Sequence, residues 1–307
     1  MNAPKLSTRQ MAEFAARGFL RFDAVVPEHI NKQFLEDIGA VSTSNDNLAG
    51  HYRSIMDSGS VPTVDPGTPL DEAYPKTSAI ANLIEVPQIK GAIQSLVGSN
   101  PAVDHHFLHV TFPPRFYTAT SKQPQAQPTH QDSTIDPRQA FDVQLFYFPH
   151  DTTPAMGGTR FIPGSQFRLV SEAALARYQN IRGQQHVVCR AGTVLLFHMG
   201  LWHGGGLNES DALRYLFKIR LCPRQKQENL WDRHRDPLSE QSRPIFWTKN
   251  AASPDHLATI LTTPEPWFEA DTQRLEFIRR IHFWRYISGD ETFDADYWLT
   301  RIENEYS

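Results

Sequence analysis

The chain has 307 residues, of which 40% are hydrophobic and 21% charged, and its formal net charge is −4 at pH 7. This is the composition of an ordinary globular protein, and neither the charge nor any run of Lys or Arg indicates a nucleic-acid or membrane partner. The only two cysteines, Cys189 and Cys222, exclude a disulfide framework, and the first residues carry no secretory apolar segment, so we expect a cytoplasmic protein.

The first hundred residues are predicted to be mostly helical. Ser7 and Gln10 have the spacing of a capping box, and Gly18 is placed to end the helix that Ser7 begins. A short strand is predicted next, over residues 19–22. Apolar residues at helical spacing predict two further helices, over residues 27–38 and 87–97.

From about residue 101 to 224, short apolar runs alternate with Gly and Pro turns. The predicted strands cover residues 105–112, 141–148, 159–162, 186–189, 193–198 and 214–221. Many short strands separated by such turns predict a double-sheet jelly roll or a barrel. The fold class is therefore expected to be mainly β with flanking helices.

The last part of the chain is predicted to return to helix over residues 271–287, packed outside the β core. Residues 225–254 are polar and poorly periodic, and we expect them to form a loop that covers the site. No linker divides the sequence. We therefore expect a single domain over 1–307, with a helical part at about 1–100, a β core at about 101–224 and a C-terminal loop and helix at about 225–307.

One group of residues has the composition and spacing of a metal-binding site. If the chain is extended at His130-Gln131-Asp132, the side chains of His130 and Asp132 share one face and Gln131 points away. His203 follows an apolar strand and precedes three glycines, which allow the backbone to pack close to a metal or ligand. Two imidazoles and one carboxylate can hold Fe(II) on one face and leave positions open, as in non-haem iron oxygenases.

Arg214 opens an alternating strand soon after the glycine-flanked histidine. Arg214, Leu216, Lys218 and Arg220 are predicted to share one face, with Tyr215, Phe217, Ile219 and Leu221 on the other. An arginine in this place is interpreted as the partner of an anion, which suggests a 2-oxo acid bound to the metal through its other end.

Other histidines compete for the role of ligand, because the chain has 13 of them. His105, His106 and His109 are close in sequence, but in a strand His106 opposes the other two, which makes a poor trio for one metal. His198 is interpreted as a hydrogen-bonded strand residue near the core.

The order of the motifs resembles the phytanoyl-CoA dioxygenase-like family of Fe(II)/2-oxoglutarate oxygenases, from about residue 6 to 221. The matching segments are 6–22, ending Gly-Phe-Leu; Thr129-His-Gln-Asp132; Gly158-Thr-Arg-Phe-Ile-Pro-Gly-Ser165; 191–198; and His203 with 208–214. The resemblance implies a double-stranded β-helix, which is a cupin-like jelly roll. It implies Fe(II), 2-oxoglutarate as co-substrate and O2.

The resemblance also implies roles for individual residues. His130, Asp132 and His203 would be the iron ligands, and Arg214 would bind the distal carboxylate of 2-oxoglutarate. Tyr117 and Gln144 fall where the family often places polar residues that face the co-substrate.

Two positions depart from the family pattern. Its Pro-Gly-Ser turn usually continues with His, and here Gln166 follows. Some members place a serine two residues after the distal histidine, where this chain has Gly205, so Arg214 needs a different helper. The carboxylate at Asp132 favours hydroxylation, or desaturation or ring formation, because related halogenases have a small residue there.

The predicted function is hydroxylation of a small molecule, such as a secondary metabolite, an amino acid or an acyl derivative, with release of succinate and CO2. Trp202, beside His203, either lines the substrate pocket or packs beneath the ligand. A zinc-dependent hydrolase or a cupin-like isomerase remains an alternative, because the same ligands suit zinc. A metal-free β-sandwich binding module is the non-enzymatic alternative. Nothing in the sequence indicates an oligomeric state.

Overall fold

The computed structural model describes most of the chain. The described residues are 3–40, 47–59, 61–120, 122–133, 140–171, 174, 180–239, 256–269 and 273–295.

Helices dominate the N-terminal part and return near the C-terminus. They are α1 (Thr8–Arg17), α2 (Glu28–Asp37), α3 (Leu48–Ser58), α4 (Ala79–Glu85), α5 (Pro87–Val97), α6 (Pro114–Thr120), α7 (Leu257–Leu261) and α8 (Gln273–Ser288). The first helix begins with the expected capping box, because the Ser7 side chain accepts from Gln10 N and the Gln10 side chain accepts from Ser7 N. It ends at Gly18 in the left-handed conformation, which glycine adopts without strain.

The strands form two antiparallel sheets. They are β1 (Phe19–Phe22), β2 (Thr68–Pro69), β3 (Ala102–Thr111), β4 (Val143–Phe148), β5 (Thr159–Phe161), β6 (Gln185–His186), β7 (Thr193–His198), β8 (His203–Gly205) and β9 (Arg214–Cys222). The major sheet has the order β1-β7-β4-β9-β3-β2, and the minor sheet has the order β6-β5-β8.

The sheets face each other across an aromatic layer. Phe161 of the minor sheet packs against Phe19 and Phe197 of the major sheet, with ring centroids 4.8 and 5.0 Å apart. The opposite face of the major sheet is covered by helices, and Tyr215, Phe217, Ile219 and Leu221 of β9 lie in that larger core. The fold is therefore mainly β with flanking helices and has the jelly-roll form, as the sequence predicted.

The described C-terminal segment before α7 packs on the N-terminal part. Trp231 is buried and its Nε1 donates to Thr8 Oγ1, while Gln227 bonds to the backbone of Leu96 and Phe141. Residues 225–239 contribute nothing to the lining of the site cavity, and residues 240–254 of the expected covering loop lie outside the described residues. In the described part of the chain, no helix combines the length and the apolar character needed to cross a bilayer.

Candidate metal centre

The three predicted ligands converge in the structure. His130 Nε2 lies 3.7 Å from Asp132 Oδ1, and His203 Nε2 lies 3.4 Å from Asp132 Oδ2. All three donor atoms lie within 4.8 Å of one another, and this is the single group of its kind among the described residues. Two imidazole nitrogens and a carboxylate oxygen at such distances can hold one divalent metal, and they suit Fe(II).

The backbone orients both imidazole rings. His130 Nδ1 is 2.9 Å from the carbonyl oxygen of Pro128, and His203 Nδ1 is 2.9 Å from that of Leu201. A carbonyl oxygen only accepts hydrogen bonds, so each Nδ1 carries the proton and each Nε2 keeps its lone pair. Both lone pairs are therefore available to a metal beside Asp132.

Local pairing brings the two histidines together. The backbone N of each donates to the carbonyl oxygen of the other at 2.9 Å, so residue 130 extends the minor sheet beyond β8. Gly204 permits this, because a Cβ there would lie 2.8 Å from Pro128 O, the acceptor of the His130 ring. Gln131 points away and donates to Val170 O, as expected for an extended chain.

Asp132 has two further partners on the major sheet. Lys218 Nζ lies 2.8 Å from Asp132 Oδ2, and Gln144 Nε2 donates to the same oxygen. Burial alone would raise the pKa of Asp132, but the adjacent Lys218 ammonium holds it well below its usual range. Burial lowers the pKa of His203 to about 3, with Asp132 opposing that shift. At neutral pH the site therefore offers a carboxylate and a neutral imidazole.

A cavity of about 450 Å³ opens beside these residues. Arg214 is buried in its wall, donating from Nη1 to Met156 O at 3.1 Å and from Nη2 to Thr111 Oγ1 at 2.8 Å. Burial lowers the pKa of Arg214 to about 10, which leaves it charged at neutral pH. Thr111 thus gives Arg214 a hydroxyl partner, which Gly205 cannot provide because it has no side chain. Because the two described partners of Arg214 are neutral, its charge is available to an anion in the cavity.

The remaining predicted site residues have different surroundings. Tyr117 lies on α6 and lines the cavity. Gln144 lies against Asp132 and outside the cavity lining. Trp202 also lies outside it, stacked on Trp267 at 5.8 Å with its Nε1 bonded to Arg168 O. Gln166 is buried and donates to Ala15 O, so it attaches the Pro-Gly-Ser turn to α1.

The competing histidines are separated, as expected. His106 bonds to Tyr74 Oη on the helix side of β3, and His105 pairs with Asp104. His109 lines the cavity, and burial together with Lys218 and Arg214 lowers its pKa to about 4. His198 is a buried core residue whose Nδ1 accepts from Gly200 N.

The sequence interpretation did not assign functions to Thr111, His109 or Lys218. The alternation in β9 placed Lys218 on the face of Arg214, but nothing in that pattern indicated its contact with Asp132. Thr111 lies within the strand predicted over 105–112 and becomes a neighbour of Arg214 only through the pairing of β3 with β9.

Comparison with known proteins decides the family. The sequence model of the phytanoyl-CoA dioxygenase (PhyH) family matches residues 14–215, which include all three converging ligands. The chain belongs to this family. It is an enzyme, an Fe(II)- and 2-oxoglutarate-dependent dioxygenase that uses O2. Family membership decides against the zinc-dependent hydrolase and the metal-free binding module.

No curated protein matches the sequence. Solved structures that resemble the chain include a non-haem monooxygenase, ThoJ, with nickel, at 22% identity and TM-score 0.46, covering 70% of this chain and 77% of that one. The α-ketoglutarate-dependent carbocyclase SnoK from nogalamycin biosynthesis has 17% identity and TM-score 0.48, covering 73% and 86%. HygX from Streptomyces hygroscopicus, with nickel and 2-oxoglutarate, has 14% identity and TM-score 0.46, covering 72% and 88%.

Proposed function

We propose that the enzyme hydroxylates a small-molecule substrate, with His130, Asp132 and His203 as the iron ligands and Arg214 as the partner of the distal carboxylate of 2-oxoglutarate. The observation that carries this proposal is the orientation of the donor set. Both histidine rings present Nε2 to Asp132 while their Nδ1 atoms are bonded to backbone carbonyls. Such support from the surrounding protein is typical of metal-binding histidines.

The chain's own residues supply binding and orientation. Bound Fe(II), with 2-oxoglutarate and O2, supplies oxidation of a substrate C–H bond with release of succinate and CO2. Arg214, fixed by Met156 O and Thr111 Oγ1, orients the co-substrate so that its oxo-acid end reaches the ligand set. Tyr117 extends the polar wall of the same cavity and is proposed as a further co-substrate contact.

Hydroxylation is favoured by the presence of a carboxylate at position 132. Asp132 would supply the third protein ligand of a bound metal, at the place where related halogenases have a small residue and leave space for a halide. The residues present therefore favour an oxygenase outcome over halogenation. Desaturation and ring formation use the same ligand set, and analysis of the product distinguishes them.

We also propose that residues 1–307 form one domain. Support comes from the larger core, in which side chains of the N-terminal helices, the major sheet and α8 pack in one cluster from Leu6 to Ala295. A division into separately folding parts would cut through this cluster.

Anaerobic titration of the metal-free protein with Fe(II) and 2-oxoglutarate tests the proposed function. We expect a metal-to-ligand charge-transfer band in the wild type and in a His105→Ala control, and no band in His130→Ala. His105 is a suitable control because it lies on β3, outside the cavity lining, and pairs with Asp104. Absence of the band in the wild type would refute the proposal. A product heavier by one oxygen atom, formed with one succinate, identifies hydroxylation.

A further inference from the structure

Lys218 is a buried cation at the metal centre whose counter-ion is one of the proposed ligands. Its Nζ lies 2.8 Å from Asp132 Oδ2 and 5.7 Å from the ring centroid of Phe146, and its side chain is 7% exposed. Burying an ammonium group is costly unless it is paired, so its charge has to be balanced in every state of the site.

The other two cations on this face of β9, Arg214 and Arg220, each have an assigned partner. Arg220 pairs with Asp142 through Nη2 at 2.6 Å, outside the cavity. Arg214 bonds to neutral partners and is assigned to the distal carboxylate of 2-oxoglutarate. Lys218 lies four residues further along the strand, about 13 Å away at the usual rise. The distal carboxylate bound at Arg214 is therefore too far away to balance the charge of Lys218.

Metal binding changes the balance of charges around Lys218. With Fe(II) and 2-oxoglutarate bound, the positive charges are two on the metal and one each on Arg214 and Lys218. The negative charges are one on Asp132 and two on 2-oxoglutarate. One positive charge is left over, and no carboxylate occurs among the described residues that line the cavity. His109 contributes no charge, because burial and its cationic neighbours lower its pKa to about 4.

We infer that the substrate carries a carboxylate that Lys218 binds beside the metal, an inference that rests on the proposed function. We expect the part of the substrate next to that carboxylate to be apolar, because Phe146 and Leu216 line the cavity on the Lys218 face of the major sheet. The polar side chains of Gln125, Gln127 and Thr159 line other parts of the cavity. Phe107, the register partner of Lys218 on β3, is an exposed aromatic ring beside the same face. The substrate class is a small apolar or aryl-alkyl carboxylic acid.

Matched probes test this inference without turnover. The protein is loaded with redox-inert Ni(II) and saturating 2-oxoglutarate, and binding of 4-phenylbutanoate and its uncharged amide is measured by equilibrium dialysis. We expect the acid to bind about 10-fold more tightly than the amide, as for a charge-assisted contact in a partly desolvated site. In the metal-free protein Lys218 remains paired with Asp132. The difference in affinity between the acid and the amide should therefore largely disappear.

Variants of Lys218 test whether this residue causes the tighter binding of the acid. Lys218→Met should reduce acid binding to the level of the amide, and Lys218→Arg should keep most of the preference. Lys226→Met removes an exposed lysine and should behave as the wild type. Lys218→Gln serves if the methionine variant does not fold. Atomic absorption measures the nickel content of each variant, so that affinities are compared only between proteins whose metal site is filled.

Three outcomes would overturn the inference. They are equal binding of acid and amide by the loaded wild type, no binding of the acid at millimolar concentration, and a parallel loss of 2-oxoglutarate affinity in Lys218→Met. The last would assign Lys218 to the co-substrate. The Fe(II)/2-oxoglutarate charge-transfer band separates this test from that of the proposed function, because a wild type that forms the band but shows no preference refutes only the inference.

Discussion

Arg214 Nη2 donates a hydrogen bond of 2.8 Å to Thr111 Oγ1 across the antiparallel pair of β3 and β9, in which the two residues are register partners. The threonine hydroxyl fixes the guanidinium from one side while Met156 O fixes it from the other. Some relatives are expected to use a serine two residues after the distal histidine for this purpose. In this chain the same contact comes from the neighbouring strand.

Thr111→Val keeps the shape of the side chain and removes the hydroxyl. We expect 2-oxoglutarate to bind about 10-fold more weakly, because a hydrogen bond to a charged group contributes about 1.5–3 kcal/mol. Fe(II) affinity should not change. Titration of the charge-transfer band with each ligand measures the two affinities separately. Thr118→Val, at an exposed threonine of α6, is the control.

A second substitution should reverse the Thr111→Val defect. A Cβ at Gly205 would lie 3.5 Å from Arg214 Nη2, an ordinary contact distance, so a serine there can reach the guanidinium. Thr111→Val combined with Gly205→Ser should regain most of the 2-oxoglutarate affinity in the same titration. A double variant as weak as Thr111→Val alone would argue that the hydroxyl acts in some other way than by orienting Arg214.

Arg214→Lys separates charge from geometry. Lysine keeps the positive charge but cannot make the two-pronged contact of a guanidinium with a carboxylate. We expect 2-oxoglutarate affinity to fall by about 10- to 100-fold, with iron binding intact. Isothermal titration with Ni(II) and then 2-oxoglutarate gives both constants. Loss of metal binding in this variant would indicate a structural arginine instead.

Gln144→Leu distinguishes two roles for a residue first expected to face the co-substrate. In the structure Gln144 donates to Asp132 Oδ2. We therefore expect metal affinity to fall by about 10-fold, the usual order for a residue that supports a metal ligand. The 2-oxoglutarate affinity of the metal-loaded variant should stay within about twofold. Titration with Ni(II) and then 2-oxoglutarate measures both affinities. A loss of 2-oxoglutarate affinity with unchanged metal affinity would instead indicate that Gln144 contacts the co-substrate.

Trp202→Phe tests whether the residue next to His203 serves binding or packing. The structure stacks Trp202 on Trp267 and bonds its Nε1 to Arg168 O, outside the cavity. We expect a loss of about 1–2 kcal/mol in the free energy of unfolding, from one hydrogen bond and reduced aromatic contact. Ligand affinities should be unchanged. Urea denaturation followed by circular dichroism measures the stability.

The sequence predicted best those features that local signals determine. The capping box at Ser7, the ends of β1, β7 and α5, and the shared face of His130 and Asp132 all depend on residues within a few positions of one another. Helices α3, α4, α6 and α7 were not predicted. Pro113 and Pro114 suggested only the end of a strand, although proline is well suited to the first turn of a helix.

Contacts between distant parts of the chain could not be read from the sequence. Thr111 and Arg214 are 103 positions apart, and Lys218 and Asp132 are 86 apart. Each contact depends on strand register and on the approach of the two sheets, and a periodic pattern in one strand fixes neither. The strand predicted over 186–189 was also longer than the observed β6, because Cys189 forms an isolated bridge with Thr152 instead.

The bonds from the two histidine rings to Pro128 O and Leu201 O have a consequence for metal exchange. The donor set is assembled by folding of the backbone, so the folded protein can release one divalent ion and take up another without rearranging. Such a preformed site does not by itself select iron. The affinities of first-row divalent metals for nitrogen and oxygen ligands follow a common order, in which Ni(II) binds more tightly than Fe(II). We therefore expect nickel or zinc to compete with iron for this site wherever either is abundant.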